Sequence, residues 1–332
     1  MFLRRRAIWW AAPHKQGGIG AGMQILGIHH VTALCGDAQR NVDFYTNTLG
    51  LRLVKLTVNP DEPGAYHLFY GDSVGSPGSL ISFISKQRGP LGARGVGMFT
   101  SVAFAVPQGS LDFWRERLEN SSPDKHANPH GEECVTFEDP DGLRLHLVER
   151  ARTNSNLWTG GTVASPAAIT GIDGVILGSR TPASKSFVPQ TLGLSTTTES
   201  LMQSGNLLSR YGVGDQYVDV MPTEHRSLAG RGTIHHAAFR VTDDAALDLC
   251  WKEMADRSTP TSEIRDKIYF KEFYFREPGG ALISIATDKP GFTRDEKRSE
   301  LGTHLCIPEA LMARQHELER LLPPLKLPAG IA

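Results

Sequence analysis

An internal repeat constrains this chain more than any other feature. Gly27-Ile28-His29-His30-Val31-Thr32 recurs as Thr233-Ile234-His235-His236-Ala237-Ala238-Phe239. Thr48-Leu49-Gly50-Leu51 recurs as Thr191-Leu192-Gly193-Leu194, and Glu138-Asp139-Pro140-Asp141-Gly142 matches Arg276-Glu277-Pro278-Gly279-Gly280. Recurrence of whole phrases in consistent order marks a chain assembled from copies of one unit. Four copies can be traced, each opening on a short β-rich run: Ile28–Leu34, Phe99–Val106, Gly171–Leu177 and Ile234–Val241. A helix signal follows each run. Asp37 precedes Val42, Tyr45 and Leu49, Ser110 precedes Leu111, Trp114 and Leu118, and Asp243 precedes Leu247, Cys250, Trp251 and Met254. These are N-cap residues ahead of apolar residues at helical spacing. Alternating strands and a tight turn close each unit. The unit reads β-α-β-β-β, the class is α+β, and four units predict two cup-like eight-stranded sheets, each able to hold a ligand.

The third unit is the weakest, because Pro189 is expected to break its helix. The predicted organisation is a first half over 24–150, a second half over 165–290 and an extension over 291–332, packed outside and helix-like from Glu309 to Leu322. Residues 1–23 carry Arg4, Arg5, Arg6 and Lys15 without an acid, and Ala7–Ala12 is too short for a signal core. That segment is expected to be a disordered tail, or to lie upstream of a natural start at Met23.

Composition narrows the function. The 332 residues hold 35 Lys plus Arg against 36 Asp plus Glu, a net charge of −1, which argues against a nucleic-acid partner. No apolar run reaches the ~18 residues of a helical span, so no membrane partner is expected. Cys35, Cys134, Cys250 and Cys306 are scattered, which predicts neither a disulfide scaffold nor a thiolate zinc site and makes a reducing cytoplasm the expected compartment.

The histidine pairs carry the chemistry. Neighbouring side chains of a strand point to opposite faces, so each pair is expected to offer one ring to a shared site and one to its back. A non-heme Fe(II) site takes two His and one carboxylate on one face. The natural place for the carboxylate is the strand after Gly280, yet Ala281-Leu282-Ile283-Ser284-Ile285-Ala286 contains no acid. Its counterpart in the second unit carries His146.

Further phrases extend the pattern: Asn41-Val42-Asp43-Phe44-Tyr45, Tyr66-His67-Leu68-Phe69-Tyr70-Gly71-Asp72, Tyr274-Phe275-Arg276-Glu277-Pro278-Gly279-Gly280, Ala286-Thr287-Asp288, Pro290-Gly291-Phe292 and Leu322-Pro323-Pro324-Leu325. With the two histidine phrases, these make the chain, from about Ile25 to Leu325, resemble the ring-cleaving dioxygenases of the vicinal oxygen chelate (glyoxalase/bleomycin resistance) superfamily that act on hydroquinones. The resemblance implies an oxidoreductase of aromatic compound catabolism. It implies metal bound by His30 and His236, the first and fourth units forming the metal cup, a small aromatic substrate and O2. It also implies a Glu where this chain has Ser284. Asp173-Gly174 departs from the family's His-Gly, and His146 falls in the other cup. By the same resemblance His29 is a supporting or acid–base residue behind the metal, Tyr274 points into the cup, and Lys267 is a cation for a phenolate.

With Ser284 in the ligand position, several outcomes stay open. Water or an anion could keep a weaker two-His metal, Fe(II) first and Mn(II) second. A substrate carboxylate could complete the shell. The cup could instead be metal-free, which makes the alternative a non-catalytic small-molecule binding or resistance protein. The reading also leaves room for a homo-oligomer.

Overall fold

The four β-rich opening runs become four long strands that pair at the centres of two sheets. The computed structural model describes residues 23–59, 62–121, 123, 128 and 130–327; the basic segment ahead of Met23 lies outside them. The first unit holds β1 (Ile28–Cys35), α1 (Ala38–Asp43), β2 (Arg52–Asn59), β3 (Glu62–Gly71) and β4 (Leu80–Ser85). The second holds β5 (Met98–Val106), α2 (Leu111–Arg117), β6 (Cys134–Glu138) and β7 (Arg144–Glu149). The third holds β8 (Gly171–Ser179), α3 (Pro182–Leu192), β9 (Ser195–Leu201), β10 (Leu207–Val213) and β11 (Gln216–Pro222). The fourth holds β12 (Thr233–Val241), α4 (Asp244–Asp256), β13 (Arg265–Asp266), β14 (Lys271–Arg276) and β15 (Leu282–Thr287).

Units one and four share a sheet, as do units two and three. The orders are β13-β14-β15-β12-β1-β4-β3-β2-β16 and β6-β7-β5-β8-β11-β10-β9, where β16 is Leu305–Cys306 of the extension. Among the described residues the sheets therefore have nine and seven strands, not eight each. The extension lends β16 to the first sheet, pairing Leu305 with Leu56, and unit two contributes three strands. The central strands are buried on both faces and mostly apolar (Ile28, Val31 and Ala33 on β1, Ile172 and Val175 on β8), so their buried polar residues, His29, His30 and Asp173, stand out.

Local signals explain the helices. The Asp37 carboxylate accepts from the Arg40 N–H at 2.8 Å and the Asp243 carboxylate from Ala246 N–H at 3.0 Å, so each satisfies a donor its helix leaves open. Ser110 does not cap; its hydroxyl donates to Pro107 O. The expectation that Pro189 breaks the third helix is corrected, since α3 runs through it. Pro189 removes the donor for the carbonyl four residues back, Lys185 O, and the Tyr211 hydroxyl donates to that carbonyl at 3.0 Å instead. The extension packs on the first sheet. Its expected helix is split into a 3-10 turn, Glu309–Arg314, and α5 (Gln315–Leu321), and Tyr66 donates to Pro323 O at 2.8 Å. No helix among the described residues is long and apolar enough to cross a membrane.

Candidate metal centre

β1 and β12 run antiparallel at the centre of the first sheet, and their histidines meet there. His30 Nε2 lies 3.1 Å from His236 Nε2, and the rings cross at 85°. Both residues are almost fully buried, at 2% and 4% exposure. The simple alternation expected for the pairs does not hold. The register slips between Ile28 and His30 opposite one bond, and between Thr32 and Ala33 opposite the other, which puts His29 and His235 at β-bulges. A bulge inserts an extra residue and re-aims its side chain. Each outer ring thereby folds onto its neighbour: His29 Nδ1 to His30 Nδ1 at 2.9 Å, and His235 Nδ1 to His236 Nδ1 at 2.8 Å.

Those contacts fix where the lone pairs point. His29 Nε2 sits 3.1 Å from Thr287 O, which can only accept, so Nε2 carries the proton and Nδ1 is an acceptor. His30 Nδ1–H then donates to His29, which leaves the His30 Nε2 lone pair aimed at His236. Burial, the largest influence, holds His29 down to about 4 and pushes His30 and His236 well below the usual imidazole range. All three rings are neutral near pH 7, the form that can ligate a metal.

The missing-carboxylate expectation is corrected. Glu272 on β14 enters the cup from the strand beside Ser284, and its Oε2 lies 4.0 Å from His236 Nε2. His30, His236 and Glu272 each place a ligand atom within 4.8 Å of the others. Ser284 stands beside this carboxylate, and its hydroxyl donates to Glu272 Oε2 at 2.6 Å. The hairpin register pairs Tyr274 with Ser284 and Glu272 with Ala286, so all four share the cup face. Burial raises the Glu272 carboxyl, while Lys267 and the Ser284 and Tyr274 hydroxyls favour its charged form. Two neutral imidazoles and a buried carboxylate, with lone pairs converging, fit a divalent cation.

The other sequence candidates separate. Tyr274 borders the cup, but its hydroxyl donates to Glu272 Oε1, so it orients the carboxylate. Lys267 lies at the rim, its Nζ 5.8 Å from the Tyr274 ring centre. His29 stays behind the cup, packed on Phe270 at 5.0 Å. The cavity in front of the two histidines has a volume of about 300 Å³ and is walled by Phe69, Phe270, Ile84 and Tyr269. His67 and His235 also face it and were missed as site residues. Period two from Tyr274 leads to Glu272, which is the signal that could have found the carboxylate.

The family pattern of the glyoxalase/bleomycin resistance protein/dioxygenase superfamily matches residues 27–147. The chain is 41% identical over 307 residues to the Bacillus subtilis protein named "Putative ring-cleaving dioxygenase MhqE", spanning 91% of this chain and 100% of that one. It is 31% identical over 317 residues to the chlorohydroquinone/hydroquinone 1,2-dioxygenase of Sphingobium indicum, spanning 90% and 96%. A Bacillus subtilis crystal structure titled as a putative dioxygenase superposes with a TM-score of 0.86 at 36% identity, over 92% of this chain and 99% of that one. Glyoxalase I of Zea mays, at a TM-score of 0.57 and 15% identity, shares the fold. With nearly its whole length aligned to such relatives, the chain belongs to the ring-cleaving dioxygenase family of the glyoxalase/bleomycin resistance/dioxygenase superfamily.

Proposed function

We propose that the protein is a metal-dependent dioxygenase that opens the ring of a hydroquinone-like aromatic, with His30, His236 and Glu272 holding Fe(II) or, second, Mn(II). The convergence of two neutral imidazoles and a buried carboxylate on one cavity is the observation that carries this reading. The facial set leaves open positions where the ion would bring substrate and O2 together. The binding-protein alternative rested on a missing carboxylate, and Glu272 removes that premise.

The remaining roles follow from the contacts. His29 holds His30 in the tautomer that offers Nε2. Tyr274 and Ser284 occupy both oxygens of Glu272, which limits its rotation and steadies its charge. Phe69 and Phe270 make an apolar slot for a ring. Lys267 at the rim opposes the charge of a phenolate, and His67 stays neutral, because burial pulls it down to about 3. The neutral His67 adds no second cation to the slot.

The test is anaerobic loading with Fe(II) followed by hydroquinone and isotopically labelled O2. The expected result is one O2 consumed per ring opened, with both labelled atoms in the product. Loaded protein that binds hydroquinone and its chloro and methyl derivatives without consuming O2 would overturn the assignment.

A further inference from the structure

We propose that Glu296, His304 and Cys306 form a second metal site, for a divalent ion of the zinc class, which fastens the C-terminal extension to the wall of the cavity. The three lie on the extension, away from the two-His centre. Their ligand atoms all fall within 4.8 Å of one another, and they are the O, N and S donors that zinc combines. His304 and Cys306 flank Leu305 at the start of β16, and both reach back toward Glu296.

The carboxylate of Glu296 points to an ion. Its side chain is 2% exposed, and its Oε2 is taken by Lys55. Its Oε1 has no partner within hydrogen-bond geometry and faces His304 Nε2 at 3.4 Å and the Cys306 thiol, whose Sγ lies 3.7 Å from Lys55 Nζ. A buried carboxylate oxygen left with such loose contacts is costly, and coordination would supply a strong one. Charge agrees. Lys55 is fully buried against Glu296 and Asp295, which leaves one surplus negative charge. A divalent ion with the Cys306 thiolate brings the group to neutrality, and the thiol proton leaves to solvent. Asp295 is already engaged by Lys55 at 2.7 Å and by the Tyr269 hydroxyl at 2.9 Å. Through Asp295 and Tyr269, and through Pro308 two residues past Cys306, the site touches two parts of the cavity wall.

Cobalt(II) distinguishes this site from the two-His centre, which has no sulfur. In titrations of the full chain, one Co(II) per chain should show a thiolate-to-metal charge-transfer band that Zn(II) abolishes by competition. The band should vanish in Cys306→Ser, weaken at least tenfold in apparent affinity in His304→Ala, and persist in His30→Ala. His304 is 56% exposed, so its variant tests the site without disturbing the core. In the His30→Ala background, where the two-His centre is lost, Zn(II) should still raise the melting temperature, and it should not do so in His30→Ala/Cys306→Ser. Absence of a sulfur band at saturating Co(II), or a band that survives in Cys306→Ser, would overturn the proposal.

Discussion

The two cups share one backbone plan and diverge in what fills it. In the first, His30 pairs with Ala238; in the second, Gly174 pairs with Ala103 at the corresponding place. By the same registers His236 answers to Ser101, and Ser284 to His146. Even the bulges repeat, with Asp173 and Thr100 where the first cup has His29 and His235. The second cup is open as well, with a cavity of about 870 Å³ that Ser101, Thr136 and His146 help to line, but the place of His30 is filled. A Cβ added at Gly174 would stand 2.4 Å from the Tyr217 ring. Tyr217 lies under Arg210 at 3.7 Å, Arg210 pairs with Asp219 and Glu132, and Asp173 pairs with Arg150. One cup spends its buried polar groups on converging lone pairs, the other on closed ion pairs. The difference teaches that the fold supplies the crossing strands and bulges, while a few side chains decide whether a cation can enter.

The largest expected effect comes from emptying the first cup. His30→Ala or His236→Ala should lower Fe(II) affinity by more than about 100-fold, beyond the ~10–100-fold typical of supporting residues, as read by anaerobic titration. Asp173→Asn, at the matching bulge of the second cup, should leave metal affinity unchanged. Equal losses in both would break the comparison.

Next in size is a packing effect confined to the second cup. Gly174→Ala should destabilise the fold by about 1–3 kcal/mol in denaturant unfolding, because the added methyl would overlap the Tyr217 ring. Metal affinity should stay within about twofold.

A third effect is pH-dependent. His146 is held by Thr136 Oγ1 at 2.8 Å and Ser101 Oγ at 3.0 Å, and burial, aided by Arg144, holds it down to about 4. An unfolded imidazole titrates near ~6.5. Between these values the unfolded chain binds a proton that the folded chain refuses, so the stability is full above about pH 6.5 and is lost as pH falls toward 4. The loss at pH 4 is on the order of 3 kcal/mol from this group. His146→Gln should flatten that part of the stability curve, with His29 and His67 keeping their share.

The smallest effect belongs to Ser284→Ala. Removing one hydrogen bond to Glu272 should weaken Fe(II) binding by about tenfold. A loss as large as that of a histidine would mean that Ser284 itself ligates.

The sequence carried the frame further than the site. Repeated phrases revealed four units and the two histidine pairs, because a duplicated unit must bury the same positions each time. Alternation failed at His29 and His235, where a bulge depends on cross-strand register that local sequence does not encode. The strand of Ser284 is the natural place for a carboxylate because it lies beside the opening strand of its unit, and the family resemblance implies the same position. Hairpin pairing puts Glu272 on the same face, and its spacing of two from Tyr274 was readable. Pro189 looks like a helix breaker in sequence because the Tyr211 hydroxyl that satisfies Lys185 O comes from a distant strand.

The central claim is that Glu272 supplies the carboxylate for a metal held by His30 and His236. Anaerobic Fe(II) titration of the parent, of Glu272→Ser and of the exchanged pair Glu272→Ser/Ser284→Glu tests it most directly. The account predicts a loss of more than about 100-fold in the single variant, and recovery to within about tenfold of the parent in the double, because both positions face the same two imidazoles. A Glu272→Ser protein that binds Fe(II) as tightly as the parent would contradict it.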